Sequence, residues 1–126
     1  MTDAAADAIR LLRQALQDEL GPHFEDTAQS LPGHTRKRHA SAVAMIDRFT
    51  ERLIALPVSG ARDAVEAAVA TLFSELNALN QKAGGRLLET EEREMIVPFV
   101  IDAAATRGCD HELYEDGDIT IRYRKF

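Results

Sequence analysis

Tryptophan is absent from the chain, and cysteine occurs once, as Cys109. A lone cysteine can form no intrachain disulfide, so nothing in the sequence calls for an oxidising compartment. Aromatic residues make up 6% of the chain, as two tyrosines and five phenylalanines. The core needs those rings, which leaves too few for a base-stacking platform. No apolar run approaches the ~20 residues of a membrane helix. The longest is Met95 to Ile101, resumed after Asp102 by Ala103 to Ala105. The first residues, Met1-Thr2-Asp3-Ala4-Ala5-Ala6-Asp7, contain no basic stretch ahead of an apolar one, and so do not read as a secretory signal. Together these absences predict a cytoplasmic protein with no membrane contact. The sequence also has no P-loop, dinucleotide fingerprint, His-Glu-x-x-His, Cys-x-x-Cys or nucleophile elbow. Internal repeats and low-complexity segments are missing too.

What is present suits one globular domain spanning residues 1–126. A chain of this size buries roughly two thirds of the surface its unfolded form exposes. The hydrophobic fraction of 45% is enough to offset the ordering entropy, so the chain does not read as disordered. The formal net charge is −6, which repels a polyanion and argues against nucleic acid as a partner.

Hydrophobic periodicity predicts four helices. The first runs over about 3–20, with Thr2 or Asp3 as cap. Its apolar stripe is Ala5, Ile9, Leu12, Leu16 and Leu20, widened by Leu11 and Ala15, and Gly21-Pro22 should end it. A long connection over 21–35 follows. The second helix spans about 36–56, with Ala42, Val43, Ile46, Phe49, Leu53 and Ile54 inward and Pro57-Val58-Ser59-Gly60 as its stop. The third shows Val65, Val69, Leu72, Phe73, Leu76 and Leu79 on one face and closes at Gly84-Gly85. The fourth starts at Thr90 as cap and runs to about Arg107, with Gly108 beyond it. Pro98 should kink it. Met95 to Ile101 is apolar almost all round, which predicts that this helix is central. Short connections after the second and third helices favour antiparallel neighbours.

The tail differs. Asp116-Gly117 is a turn signal, and Ile119-Thr120-Ile121-Arg122-Tyr123 favours extended chain. A hairpin of about 112–115 with 119–124 is one expectation, and a short C-terminal helix after Asp118 is the other.

Few residues suggest chemistry. His23, His34, His39 and His111 show no i, i+3 or i, i+4 pairing. Cys109-Asp110-His111 is the one local cluster of metal-ligand types, but no partner set accompanies it, so neither a metal nor a cofactor is expected. The acids around Cys109 would raise its thiol pKa, which disfavours a nucleophilic role. Arg36-Lys37-Arg38-His39 is a basic patch, read as ion-paired with the acidic start of the fourth helix. Between Glu89 and Asp118 lie ten acidic residues and only two arginines, Arg93 and Arg107. Such a block either pairs with the basic tail of Arg122, Arg124 and Lys125 or captures a basic partner, as inhibitors of cationic proteins do.

Leu76-Asn77-Ala78-Leu79-Asn80, Leu88-Glu89-Thr90-Glu91-Glu92-Arg93-Glu94, Phe99-Val100 and Asp118-Ile119-Thr120, with Tyr123-Arg124 and Phe126, resemble a group of small bacterial helical proteins of unknown function over roughly the last 50 residues. The resemblance implies a helix start with Thr90 as cap. It implies a C-terminal segment that continues as Glu-Glu-Trp-Arg, where this chain has Ile121-Arg122-Tyr123-Arg124. That departure removes two acids and weakens the case for a helical C-terminus. No activity comes with the resemblance.

The sequence therefore predicts an all-α or nearly all-α, four-helix bundle-like domain with an irregular or hairpin tail. No catalytic residue stands out. The favoured function is non-catalytic binding of a basic protein through Asp110, Glu112, Glu115 and Asp116, as an inhibitor or immunity-type module. The alternative is a small-molecule or enzymatic pocket between helices where Asn77, Asn80, His39 and Arg93 converge.

Overall fold

A computed structural model describes residues 3–57 and 61–126. Four helices dominate: α1 Ala4–Thr27, α2 Arg36–Ala55, α3 Arg62–Lys82 and α4 Thr90–Thr106. Two single 3-10 turns follow, His111–Leu113 and Glu115–Gly117. No strand occurs among the described residues, so neither the hairpin nor the C-terminal helix forms. The architecture is an all-α bundle with an irregular tail.

Each helix buries the stripe its spacing dictates. On α2 the fully buried side chains are Ala42, Ile46, Phe49 and Leu53, and on α3 they include Val65, Val69, Leu72, Phe73 and Leu76. On α1 the buried set is Ala6, Ile9, Leu16, Leu20 and Phe24, whereas Leu11 is 73% exposed and Ala15 faces solvent. The stripe is thus narrower than the sequence suggests, and it extends further along the chain.

Helix α1 does not stop at Gly21-Pro22 but continues through Pro22 to Thr27. Proline deletes one backbone bond and crowds the preceding turn, at about 3 kcal/mol or more. Pro22 faces solvent, however, and the added turn buries Phe24 and Thr27 in line with Leu20. A buried phenylalanine contributes about 1.5–3 kcal/mol, and the bonds and contacts of the extra turn add to it. At the start of α1, Asp3 is the cap and accepts from the Ala6 N–H at 3.1 Å. The alternative cap Thr2, and the expected stop at Val58-Ser59-Gly60, lie outside the described residues.

Helix α4 is not the hub. It packs chiefly on α1, α1 packs also on α2, and α2 on α3, while α3 and α4 are not a closely packed pair. Its buried residues Ile96, Val97, Phe99, Val100, Ala103 and Ala104 leave a solvent stripe of Glu91, Glu94, Pro98 and Asp102. Pro98 on that stripe loses a bond on the side where water replaces it, and the helix runs unbroken from Thr90 to Thr106. The cap is Glu89 rather than Thr90, with Glu92 reaching back to accept the Glu89 N–H at 2.9 Å.

The tail covers α3. Asn77 Nδ2 donates to the Tyr123 carbonyl at 2.8 Å, and Asn77 Oδ1 accepts from the Lys125 N–H at 3.0 Å. Phe126 stacks on Phe73 with ring centroids 5.8 Å apart. Asp118 accepts from the Thr120 N–H and hydroxyl and pairs with Arg124 at 3.1 Å, which folds 118–124 into a turn where extended chain was expected. Asn77→Ala removes both amide bonds and should cost about 1–2 kcal/mol. Limited proteolysis should then clip the chain after residue 118 faster than in the wild type. An unchanged digestion rate would show that Ile119 and Phe126 hold the tail alone.

The loop between α1 and α2 docks on the α3–α4 connection at Gly33. Its φ is +84°, and a Cβ there would lie 2.8 Å from that of Arg86 and 3.1 Å from the Ala83 carbonyl oxygen. Only glycine fits both the left-handed backbone and that approach. This docking brings the ends of α1, α2 and α4 to one corner.

Candidate functional site

Three histidines and two carboxylates meet at that corner. His23 comes from the end of α1, which exists there only because the helix continues past Pro22. His34 immediately precedes the α2 cap Thr35, and His39 lies in the first turns of α2. Glu91 and Glu92 come from the first turn of α4. Glu92 is 3% exposed, His34 5% and His39 6%, whereas the side chain of Glu91 is 74% exposed.

The contacts are specific. His23 Nε2 meets Glu92 Oε2, and His23 Nδ1 lies 3.6 Å from Glu91 Oε2. His34 Nδ1 and His39 Nε2 share a hydrogen bond at 2.8 Å. One nitrogen donates and the other accepts, so both rings cannot be protonated while that bond stands. The His39 ring stacks on Phe24 with centroids 3.9 Å apart and planes 4° from parallel. Burial pushes the His39 pKa down to about 4, with repulsion from His34 and His23 adding to it and Glu92 opposing. His39 is therefore neutral at pH 7. A cleft of about 580 Å³, lined by His34, Glu89, Thr90, Glu91, Glu92 and Leu31, opens beside the carboxylates. Chemically the corner offers imidazole nitrogens and carboxylate oxygens to one small volume. The atoms of His23, Glu91 and Glu92 that could bind a cation lie within 4.8 Å of one another.

The basic patch at α2 does not pair with α4. Arg36 and Lys37 are exposed, and Arg38 donates to the carbonyls of Gly33 at 3.0 Å and Lys82 at 3.3 Å. Its guanidinium thus caps the C-terminal end of α3, where a cation is favoured. The α4 start is faced by His23 instead.

Asp110, Glu112, Glu115 and Asp116 stand together on the two 3-10 turns, all exposed. Among the described residues none of the four forms an ion pair; the basic tail spends Arg124 on Asp118. Leu113, in their midst, is 47% exposed. Tyr114 points inward between them, donates to Glu66 Oε1 at 3.1 Å and carries the Arg62 guanidinium 5.8 Å from its ring centre. Burial pushes the Tyr114 phenol well above its usual range. Asp116 adopts φ +55° and Gly117 φ +70°, left-handed conformations that turn the chain as it leaves the acidic segment. Cys109 is buried with its Sγ 3.9 Å from the Arg62 carbonyl, while Asp110 and His111 face solvent, so these three do not converge on a common point.

The four polar groups Asn77, Asn80, His39 and Arg93 are not brought to one pocket. Asn77 and Asn80 line a groove of about 720 Å³ beside Arg122 and Lys125. Asn77 holds the tail, and Asn80 Oδ1 accepts from the Leu87 and Leu88 N–H groups at 3.1 and 2.8 Å to shape the α3–α4 connection. His39 sits at the histidine corner, and Arg93 is half-buried on α4.

The histidine–carboxylate corner was invisible to local spacing, since its members come from three helices and a loop. Two cues pointed toward it. Leu16, Leu20, Phe24 and Thr27 keep one helical period across Gly21-Pro22, and Glu89-x-x-Glu92 has the spacing of a capping pair that turns Glu92 back onto the helix start. No family model matches the chain, and neither a curated protein nor a solved structure matches it.

Proposed function

We propose that the chain is a non-catalytic protein-binding module that receives a basic partner on the segment from Asp110 to Asp116. The observation that carries this reading is four exposed carboxylates that form no ion pair among the described residues, set around a half-exposed Leu113. Carboxylates of one sign steer a basic partner and fix its register, while an apolar side chain at the centre supplies the desolvated contact. The turns are anchored from beneath by Tyr114 on Glu66 and by Asp118 on Arg124, so little ordering entropy remains to oppose binding. An inhibitor or immunity-type role fits such a surface, and the net charge of −6 weighs against a nucleic-acid partner.

The triple variant Glu112→Lys, Glu115→Lys, Asp116→Lys tests the reading. Its melting temperature should stay within a few degrees of wild type, because none of the three side chains is buried or, among the described residues, paired, and lysine at the left-handed Asp116 costs only about 1 kcal/mol. In affinity capture from extracts of the native cell, wild type should retain a basic protein at low salt and release it at high salt. The triple variant should not retain it. Equal capture by both would end the proposal.

A second reading, a small-molecule-binding or enzymatic helical domain, is favoured by the cleft beside Glu91 and Glu92, where imidazole and carboxylate groups converge.

A further inference from the structure

We propose that His23, Glu91 and Glu92 bind one divalent first-row transition-metal ion, of which Zn²⁺ is the representative. This deepens the second reading, and it does not depend on the acidic segment being a docking surface. One imidazole nitrogen and two carboxylate oxygens lie within 4.8 Å of one another. Zinc sites with three protein ligands are built from such N and O donors, with water completing the shell. Tetrahedral metal–ligand bonds near 2.0–2.2 Å place ligand atoms about 3.4 Å apart, so the His23–Glu92 contact opens to admit the ion and the closure left to Glu91 is on the order of 1 Å. Glu91, exposed on the α4 surface, can supply it by a rotamer change. The imidazole separates this donor set from the all-oxygen shells of Ca²⁺ and Mg²⁺.

Three further features favour a bound cation. Glu92 is a nearly fully buried carboxylate whose only ion-pair partner among the described residues is His23. A buried anion is costly unless a positive charge neutralises it. The orientation of Glu92 is fixed in advance, because its Oε1 accepts the Glu89 N–H at 2.9 Å and leaves Oε2 toward His23. Hydrogen bonds of this kind to the far side of a ligand hold it in place for a metal. Finally, the cleft of about 580 Å³ touches Glu91 and Glu92 and gives an ion and its waters a way in. With two carboxylates and a neutral imidazole the ligand set carries −2, which a divalent ion neutralises. The positive end of the α4 dipole opposes the ion, so moderate rather than extreme affinity is expected.

The experiment is a Co²⁺ titration of the full, chelator-treated chain followed by visible absorption, with a ZnCl₂ titration by calorimetry. Wild type should bind one ion per chain, and Zn²⁺ should raise its melting temperature. Glu91→Gln is the informative variant, since its side chain is exposed and its loss should lower the metal-free melting temperature by only a few degrees. It should weaken Co²⁺ and Zn²⁺ binding at least about tenfold, the lower end of what disturbing a metal site costs. His111→Ala, at the exposed histidine, should bind as wild type does. Three results would overturn the proposal: no saturable binding, equal affinity in Glu91→Gln, or loss of binding in His111→Ala. The first two would leave the corner as an ion pair that positions α1 on α4.

Discussion

Arg107→Ala should cost the fold about 3 kcal/mol, the scale of removing one partner from a buried charged network. Arg107 is 5% exposed and follows α4 directly. Its Nε donates to the Leu53 carbonyl at 2.8 Å, and its Nη2 donates to the Ile54 carbonyl at 2.9 Å and to Asp3 Oδ2 at 3.0 Å. Leu53 and Ile54 are in the last turn of α2, where carbonyls lack the usual i+4 partner; Leu53 keeps only a long bond from the Leu56 N–H at 3.3 Å. The guanidinium therefore satisfies the end of α2, meets the negative end of its dipole and ties down the α1 cap. Asp3 in turn is held below its ordinary pKa, by the Ala6 N–H first and by Arg107 second. Truncation takes the side-chain donor from both carbonyls, leaves Leu53 with only its long Leu56 bond, and opens a void beside them. The melting temperature should drop by roughly 10 °C for a domain this size. Arg107→Lys keeps the charge but loses the planar fork that reaches three acceptors, so it should recover only part of the loss. A denaturant midpoint for Arg107→Ala that implies less than about 1 kcal/mol would show that water replaces the side chain without penalty. The Nη1 atom of Arg107, buried with no hydrogen-bond partner among the described residues, is where that compensation would have to begin.

Arg107 marks a general limit on what the sequence discloses. The four helices are legible because burial of a stripe is a one-dimensional property: residues at i, i+3, i+4 and i+7 share a face whatever that face meets. The ends of the helices are less legible, because competing terms decide them. At Gly21-Pro22 the local signals favour a stop, but tertiary burial of Phe24 and Thr27 overrides them. At Thr90 the hydroxyl is the better cap by type, yet Glu89 takes the position because Glu92 pairs with its N–H. In the tail, the β-branched run Ile119-Thr120-Ile121 favours extended chain, but no neighbouring strand offers its backbone a ladder. Asp118 bonds Thr120 and folds the segment instead. Arg107 itself reads as a charge at the end of a helix; its role as a cap for another helix depends on packing alone.

The acidic segment was legible as a charge cluster, and the structure adds that its carboxylates are exposed and unpaired among the described residues. The histidine corner was not legible. His34 and His39 are five apart across a helix cap, and His23 and Glu92 are separated by 69 positions. A spacing rule built on one helix cannot register either contact. The basic run at Arg36 shows the converse error: a patch in sequence disperses once α2 forms, with Arg38 turned to the end of α3 and His39 turned into the core.

Acidification should weaken the fold between pH 6.5 and about 4 by on the order of 2 kcal/mol through His39 alone. The ring is buried and its folded pKa is about 4, against an ordinary value of 6.5. Below 6.5 the unfolded chain takes a proton at this position and the folded chain does not, so the unfolded state gains. The penalty is absent above pH 6.5, grows as pH falls, and stops growing below about 4. The full shift of 2.5 units corresponds to a little over 3 kcal/mol, and the smaller figure allows for water reaching the edge of the ring. Burial sets the sign, and the groups facing the ring adjust the size of the shift. His34 and His23 repel a proton on His39, Glu92 attracts it, and the Phe24 ring stacked on its face offers no acceptor in the plane of the ring. Protonation would also leave Nε2 as a donor and break the pattern of the bond from His34 whenever His34 donates. His39→Gln keeps a side chain that can both donate and accept but cannot titrate here. Urea unfolding of the two proteins from pH 7 to pH 4 isolates the contribution. The variant should start less stable at pH 7, because an amide stacks less well on Phe24, and should lose less on acidification, so that the two curves converge toward pH 4. Parallel curves would show that His39 takes its proton in the folded chain as readily as in the unfolded one, and that the corner opens to water well above pH 4.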